Sequence, residues 1–133
     1  MTVRTWIYGQ LITLDELVGD RVFAKKTMTS SIEQHPYIVY SLGYNANEDL
    51  AEDTDVTRQF IQVFVHDFND GDNADYMRID QVIHAIKQVF HLKNSAEDGV
   101  IAIQYVETSQ DLNDETLNTV FKYARFQLTT KEQ

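Results

Sequence analysis

VTRQFIQVFVHDF, Val56–Phe68, is the stretch whose reading decides the fold. Val56, Phe60, Phe64 and Phe68 share one parity with Arg58, Gln62 and His66. Ile61, Val63 and Val65 fall on the other, with Thr57, Gln59 and Asp67. A strand turns successive side chains to opposite faces, so the second half of this one is apolar on both. Such a strand belongs at the centre of its sheet, covered on at least part of both sides. At about 3.3 Å per residue it reaches roughly 40 Å, far beyond the usual five or six residues.

After it, Asn69–Asp72 breaks the strand and the apolar period changes from 2 to 3.6. Tyr76, Ile79, Val82, Ile83, Ile86, Val89 and Phe90 then fall on one helical face. Asp72 or Asn73 suits the N-cap, Asp75 the first turn, and Lys87 and Lys93 the other end. Long strand and amphipathic helix form the pair on which the remaining elements are expected to pack.

Upstream, Val3, Ile7, Leu11, Leu14 and Val18 make the stripe of a helix over Val3–Val18, stopped by Gly19 at a C′ position. Gly9 inside it costs up to about 1 kcal/mol relative to Ala, unless close packing requires it. A short strand is expected over Arg21–Ala24 and a firm one over Tyr37–Leu42, after the single proline, Pro36. Pro36–Phe68 therefore reads as an antiparallel hairpin whose connection, Gly43–Asp55, carries five carboxylates. A connection of that length in a small domain is usually functional or disordered.

Downstream, Val100–Val106 is a strand with Ile101, Ile103 and Tyr105 on one face and Val100, Ala102 and Val106 on the other. Gln110–Glu115 is a hairpin turn, and Thr119–Thr129 the closing strand. The result is one α+β domain over residues 1–133. It has a mostly antiparallel sheet of about five strands and two helices, in the order α-β-β-β-α-β-β.

Composition narrows the function. The chain has 133 residues, 43% of them hydrophobic, and no cysteine, so it has no disulfide framework, thiolate metal site or cysteine nucleophile. No apolar run approaches a membrane span, and the N-terminus has no secretion-signal pattern, which points to a cytoplasmic site of synthesis and no membrane partner. The net charge is −10, and the basic residues are scattered, with only Lys25 and Lys26 adjacent. DNA binding through an outer surface needs clustered Lys and Arg. The acidity suits either a solvated surface or one that must not hold DNA passing nearby.

No catalytic, metal or cofactor constellation emerges. His35, His66, His84 and His91 make no ligand spacing, and Asp67–Asp75 misses the calcium-loop pattern, with Arg78 where the closing Glu belongs. Glu48, Asp49, Glu52 and Asp53 lie in a connection with no apolar pocket implied, which argues against acid–base work. No enzyme and no cofactor is expected. Asn47, Glu48, Asp49, Glu52, Asp53 and Asp55 remain as candidate residues for meeting a partner or lining a channel.

The pattern as a whole resembles the tail terminator proteins (tail completion, or head–tail joining) of long-tailed bacteriophages. The resembling features are LDELVGDRVF at Leu14–Phe23, PYIVYSL at Pro36–Leu42 and RQFIQVFVHDF at Arg58–Phe68. ADYMRIDQVIHAIKQVF at Ala74–Phe90 and VFKYARFQL at Val120–Leu128, after an Asp-rich turn, complete it. The likeness is one of order and pattern over nearly the whole chain, without a single diagnostic motif. It implies a virion protein of the tail or neck, assembled in the host cytoplasm as a ring, usually a hexamer. That ring caps the tail tube, ends tube polymerisation and offers a docking surface to the head connector. The implied partners are further copies of the chain, the tail tube protein and the connector or stopper protein, with DNA only as cargo passing through the channel. Two other readings stand beside it: another neck component (head-completion, stopper or tube protein), and a small-molecule-binding α+β domain.

Overall fold

The computed structural model describes residues 3–19, 21–24, 36–43, 56–68, 76–95, 99–114 and 119–131. In chain order the elements are α1 (Val3–Leu11), a 3-10 turn (Ile12–Leu14), α2 (Asp15–Val18), β1 (Val22–Ala24), β2 (Tyr37–Gly43), β3 (Val56–Phe68), α3 (Tyr76–Phe90), β4 (Val100–Thr108), β5 (Leu112–Asp114) and β6 (Thr119–Lys131). The strands form one sheet in the order β1-β2-β3-β6-β4, with β5 also paired to β6. All pairings are antiparallel except β1 with β2. The fold is α+β, as the patterning implies.

β3 holds the expected central place. It pairs with β2 from Tyr37↔His66 to Gly43↔Phe60, and with β6 from Val56↔Lys131 to Phe68↔Thr119. Its Ile61, Val63 and Val65 are buried, together with Ile38 and Tyr40 of β2 and Ala124, Phe126 and Leu128 of β6. These residues meet Ile79, Val82, Ile83, Ile86 and Phe90 of α3 in one core cluster. Full burial of a large apolar side chain contributes about 1.5–3 kcal/mol, so this face supplies most of the fold's driving force. Trp6, Ile7, Leu11 and Val18 extend the cluster from the N-terminal segment, with Trp6 tilted against Phe90 at 6.0 Å between ring centroids. The expected capping residues of α3, Asp72, Asn73 and Asp75, lie outside the described residues.

Three details depart from the sequence reading. The helix expected over Val3–Val18 is interrupted by the 3-10 turn, where Thr13 Oγ1 donates to the Gln10 carbonyl at 2.6 Å and Leu14 leaves helical geometry at φ −89°, ψ 29°. A hydroxyl that engages the backbone locally offers it an alternative to the regular helix. Gly19 ends the segment as expected, at φ 61°, its N–H on the Asp15 carbonyl at 2.9 Å.

Second, Gln110–Glu115 is not only a turn: Leu112–Asp114 pairs with Phe121, Val120 and Thr119 as β5, so the sheet has six strands. Third, the two faces assigned to Val100–Val106 are mixed. Val100 and Ile103 are both buried, although their parity differs, while Ile101 and Val106 are exposed. Register breaks between Val100 and Ala102 and between Tyr105 and Glu107 account for this, since each extra residue turns the strand by one step.

Candidate functional site

The candidate residues Asn47, Glu48, Asp49, Glu52, Asp53 and Asp55 lie outside the described residues. Their neighbours on either side are described. The segment leaves β2 at Gly43, the last residue of that strand, opposite Phe60, and rejoins the sheet at Val56, which among the described residues is paired with Lys131 of β6.

Polar contacts tie α3 to the sheet at its N-terminal half. Tyr76 donates its hydroxyl to the Leu112 carbonyl at 3.0 Å. Arg78 forms a two-bonded contact with the carboxylate of Asp67 on β3. Lys122 of β6 reaches Asp80 of α3 at 2.6 Å and Asp111 at 3.1 Å. The hydrogen bond to Asp80, opposed by burial and reinforced by Asp111, raises the Lys122 ammonium above its ordinary pKa. Burial, with the charge of Asp111 adding to it, raises the Tyr76 phenol. Burial likewise raises Tyr40, against the opposing charge of Arg4. The contacts of Tyr76, Arg78 and Lys122 thus join α3 and its neighbours to the sheet. Among the described residues no three His, Cys, Asp or Glu side chains gather as a metal site would require.

The sheet face away from the helices is aromatic and half-polar. His66 stacks between Tyr37 and Phe121, both at 4.9 Å between ring centroids, and its Nδ1 lies 2.9 Å from the Thr119 hydroxyl. Phe64 packs on Phe121 and Tyr123, and the Arg125 guanidinium lies 4.1 Å over Phe60 while Glu107 sits 3.6 Å from it. Alternation in β3 and β6 made this face legible, though the stacking partner of His66 could not be read before the register was known.

Among the described residues, each edge of the sheet carries a feature that disfavours strand pairing. β1 is only three residues long. β4 carries two bulges, and the turn after α3 occupies outward backbone groups of the strand. Leu92 N–H donates to the Ile103 carbonyl at 2.8 Å, and the N–H of Tyr105 donates to His91 Nδ1 at 3.1 Å. Bulges and covered backbone groups are the devices by which proteins prevent edge-to-edge pairing. The same turn brings His84 and His91 onto one cavity with Lys87, Gln88 and Tyr105.

In its fold the chain is similar to a chain of the virion of a native gene transfer agent (GTA) particle. The TM-score is 0.74 at 14% identity, over 98% of this chain and 96% of that one. At that identity the shared property is the fold. No family model matches the chain, and no curated protein matches it in sequence.

Proposed function

We propose that the protein is a structural component of a virion. Within it, the protein serves as the subunit of a ring, a hexamer on the family pattern, that caps the tail tube, stops its growth and receives the head connector. The observation that supports this most is the fold shared with a virion chain over nearly the full length of both. The resemblance of the sequence pattern to tail terminators narrows it to the tail end of the neck. A chain of charge −10 repeated around a channel would repel the phosphates of passing DNA and so would not retain it. Asn47, Glu48, Asp49, Glu52, Asp53 and Asp55 are assigned to the partner- or channel-facing part of the subunit. The reading needs no catalytic residue and no cofactor. With a feature against strand pairing at each edge among the described residues, contacts between subunits run through faces and connections rather than through strand-to-strand pairing.

The test is electron microscopy of particles made without this protein. Filled heads beside unjoined tails of abnormal length are expected. Joined tails of normal length would end the terminator reading. A block in DNA packaging would move the protein to the head side of the neck, the second reading that the shared fold equally favours.

A further inference from the structure

At the C-terminal half of α3, a cavity of about 350 Å³ opens beside the edge strand β4, lined by His84, Lys87, Gln88, His91 and Tyr105. It is the chemical opposite of the chain that contains it. The protein has 21 acidic residues against 11 basic ones, yet no carboxylate stands among the described lining residues. His91 accepts the Tyr105 N–H through Nδ1, which places its own proton on Nε2, where it can be donated to a ligand. Lys87 Nζ is held 4.1 Å over the Tyr105 ring, and no ion pair engages it among the described residues. Gln88 and His84 are bonded to each other at 3.2 Å. The Lys87 and Phe90 carbonyls, which would repel an anion, already accept the His91 and Lys93 N–H groups. From this largely apolar wall, the Lys87 ammonium and the His91 Nε2–H are the donors that a carboxylate would meet.

We propose that this cavity docks the acidic segment 44–55 of a second copy of the chain. The segment supplies Glu48, Asp49, Glu52, Asp53 and Asp55, and contains neither Lys nor Arg. The topology gives the geometric argument. The segment departs from the end of β2, whereas the cavity lies along β4, and β3 and β6 separate these two strands in the sheet. The strands that the segment leaves and rejoins, β2 and β3, are thus separated from the cavity strand β4 by β6 within one subunit. A head-to-tail ring contact requires two different, complementary patches of this kind. The proposal rests on the ring reading above and names the contact that would close the ring.

The experiment uses full-length protein, a mixture of isotopically light and heavy copies, assembled on tail tubes and treated with a zero-length carbodiimide cross-linker. Cross-links from Lys87 to carboxylates of 44–55 that join light to heavy copies are expected, as is their loss in Lys87→Gln. Lys87→Glu alone, and Glu52→Lys with Asp53→Lys alone, should each reduce assembly at least tenfold, and mixing the two variants should restore it. Rings that form without such cross-links overturn the docking while leaving the ring reading intact. Cross-links only within like-labelled copies show the segment folding onto its own subunit, and links from Lys87 to the tube protein show a different occupant; either result overturns the proposal. Protein that stays monomeric on tubes overturns both the docking and the ring.

Discussion

Arg78 grips Asp67 with two bonds, Nε to Oδ2 at 2.7 Å and Nη2 to Oδ1, so the first turn of α3 is fastened to the end of β3. The two partners differ in burial: the Asp67 side chain is 1% exposed and that of Arg78 is 45% exposed. Removing the arginine leaves a buried carboxylate without its cation, which in buried pairs costs about 3–5 kcal/mol. Arg78→Ala should therefore lower stability by about 3 kcal/mol, the low end of that range because the guanidinium is half in water. Asp67→Asn should cost less, since it removes the buried charge as well. Urea unfolding curves decide it: a loss under about 1 kcal/mol for Arg78→Ala would show the pair to be incidental.

Lys122 predicts an alkaline limit to stability. Its folded pKa lies above the ordinary value because Asp80 and Asp111 hold the ammonium form. The contribution is therefore complete below the unfolded pKa, about 10.4, and is lost as pH rises through the folded value. Tyr40 and Tyr76, also raised, push in the same direction, since the unfolded chain gives up their protons more readily. The share due to Lys122 is the difference between wild type and Lys122→Met. The gap in urea midpoint between them should be widest at neutral pH and should narrow above pH of about 10.5. A gap independent of pH would contradict the assignment.

Gly9 lies in the middle of α1, and a Cβ built on it would meet nothing within 4 Å. No packing reason for the glycine exists among the described residues. Gly9→Ala should stabilise the protein by up to about 1 kcal/mol through helix propensity and the reduced freedom of the unfolded chain. Differential scanning calorimetry of the full chain is the measurement, and a fall in melting temperature would mean that something covers this position in the folded protein.

The ring of His66 is parallel to that of Tyr37 within 3° and to that of Phe121 within 19°. His66→Phe keeps both stacks and loses the bond to the Thr119 hydroxyl, for a cost of about 1 kcal/mol. His66→Ala loses the stacks too, and aromatic pairs of this kind contribute about 0.5–1.5 kcal/mol each beyond their buried area. The order wild type, Phe, Ala should hold in chemical denaturation. Equal losses for the two variants would place the whole effect in the hydrogen bond.

The elements that were legible in advance are those whose side-chain period is unbroken. β3 and α3 follow periods of 2 and 3.6 without interruption, and β3 begins and ends where its pattern does. Val100–Val106 could not be read correctly, because the bulges that re-aim Ile101 and Val106 are imposed by pairing with β6 rather than by local composition. β5 was hidden for a related reason. Leu112 is its single apolar residue, and what makes Leu112–Asp114 a strand is the free flank of β6 at Thr119–Phe121. The donor cavity depends on a turn that folds His91 back against Tyr105, with Leu92 at φ 61°, and no periodicity foretells that. The acidic residues from Glu48 to Asp55 were selected by composition alone, and the described residues give only their attachments, Gly43 of β2 and Val56 of β3.

The placement of β6 between β3 and β4 also bears on how the chain is made. Synthesis delivers β3, α3 and β4 before the strand that joins them exists. Until then, Ile61, Val63 and Val65 belong to a hairpin open along one whole side. The contacts that close it span long loops: His66 meets Thr119 across 53 positions and Gln59 meets Thr130 across 71. Such pairing is slow, because loop-closure entropy must be overcome before any contact compensates it. The nascent chain therefore goes through a sticky, incomplete stage, and chaperone demand should peak before Thr119–Lys131 emerges and fall once it does.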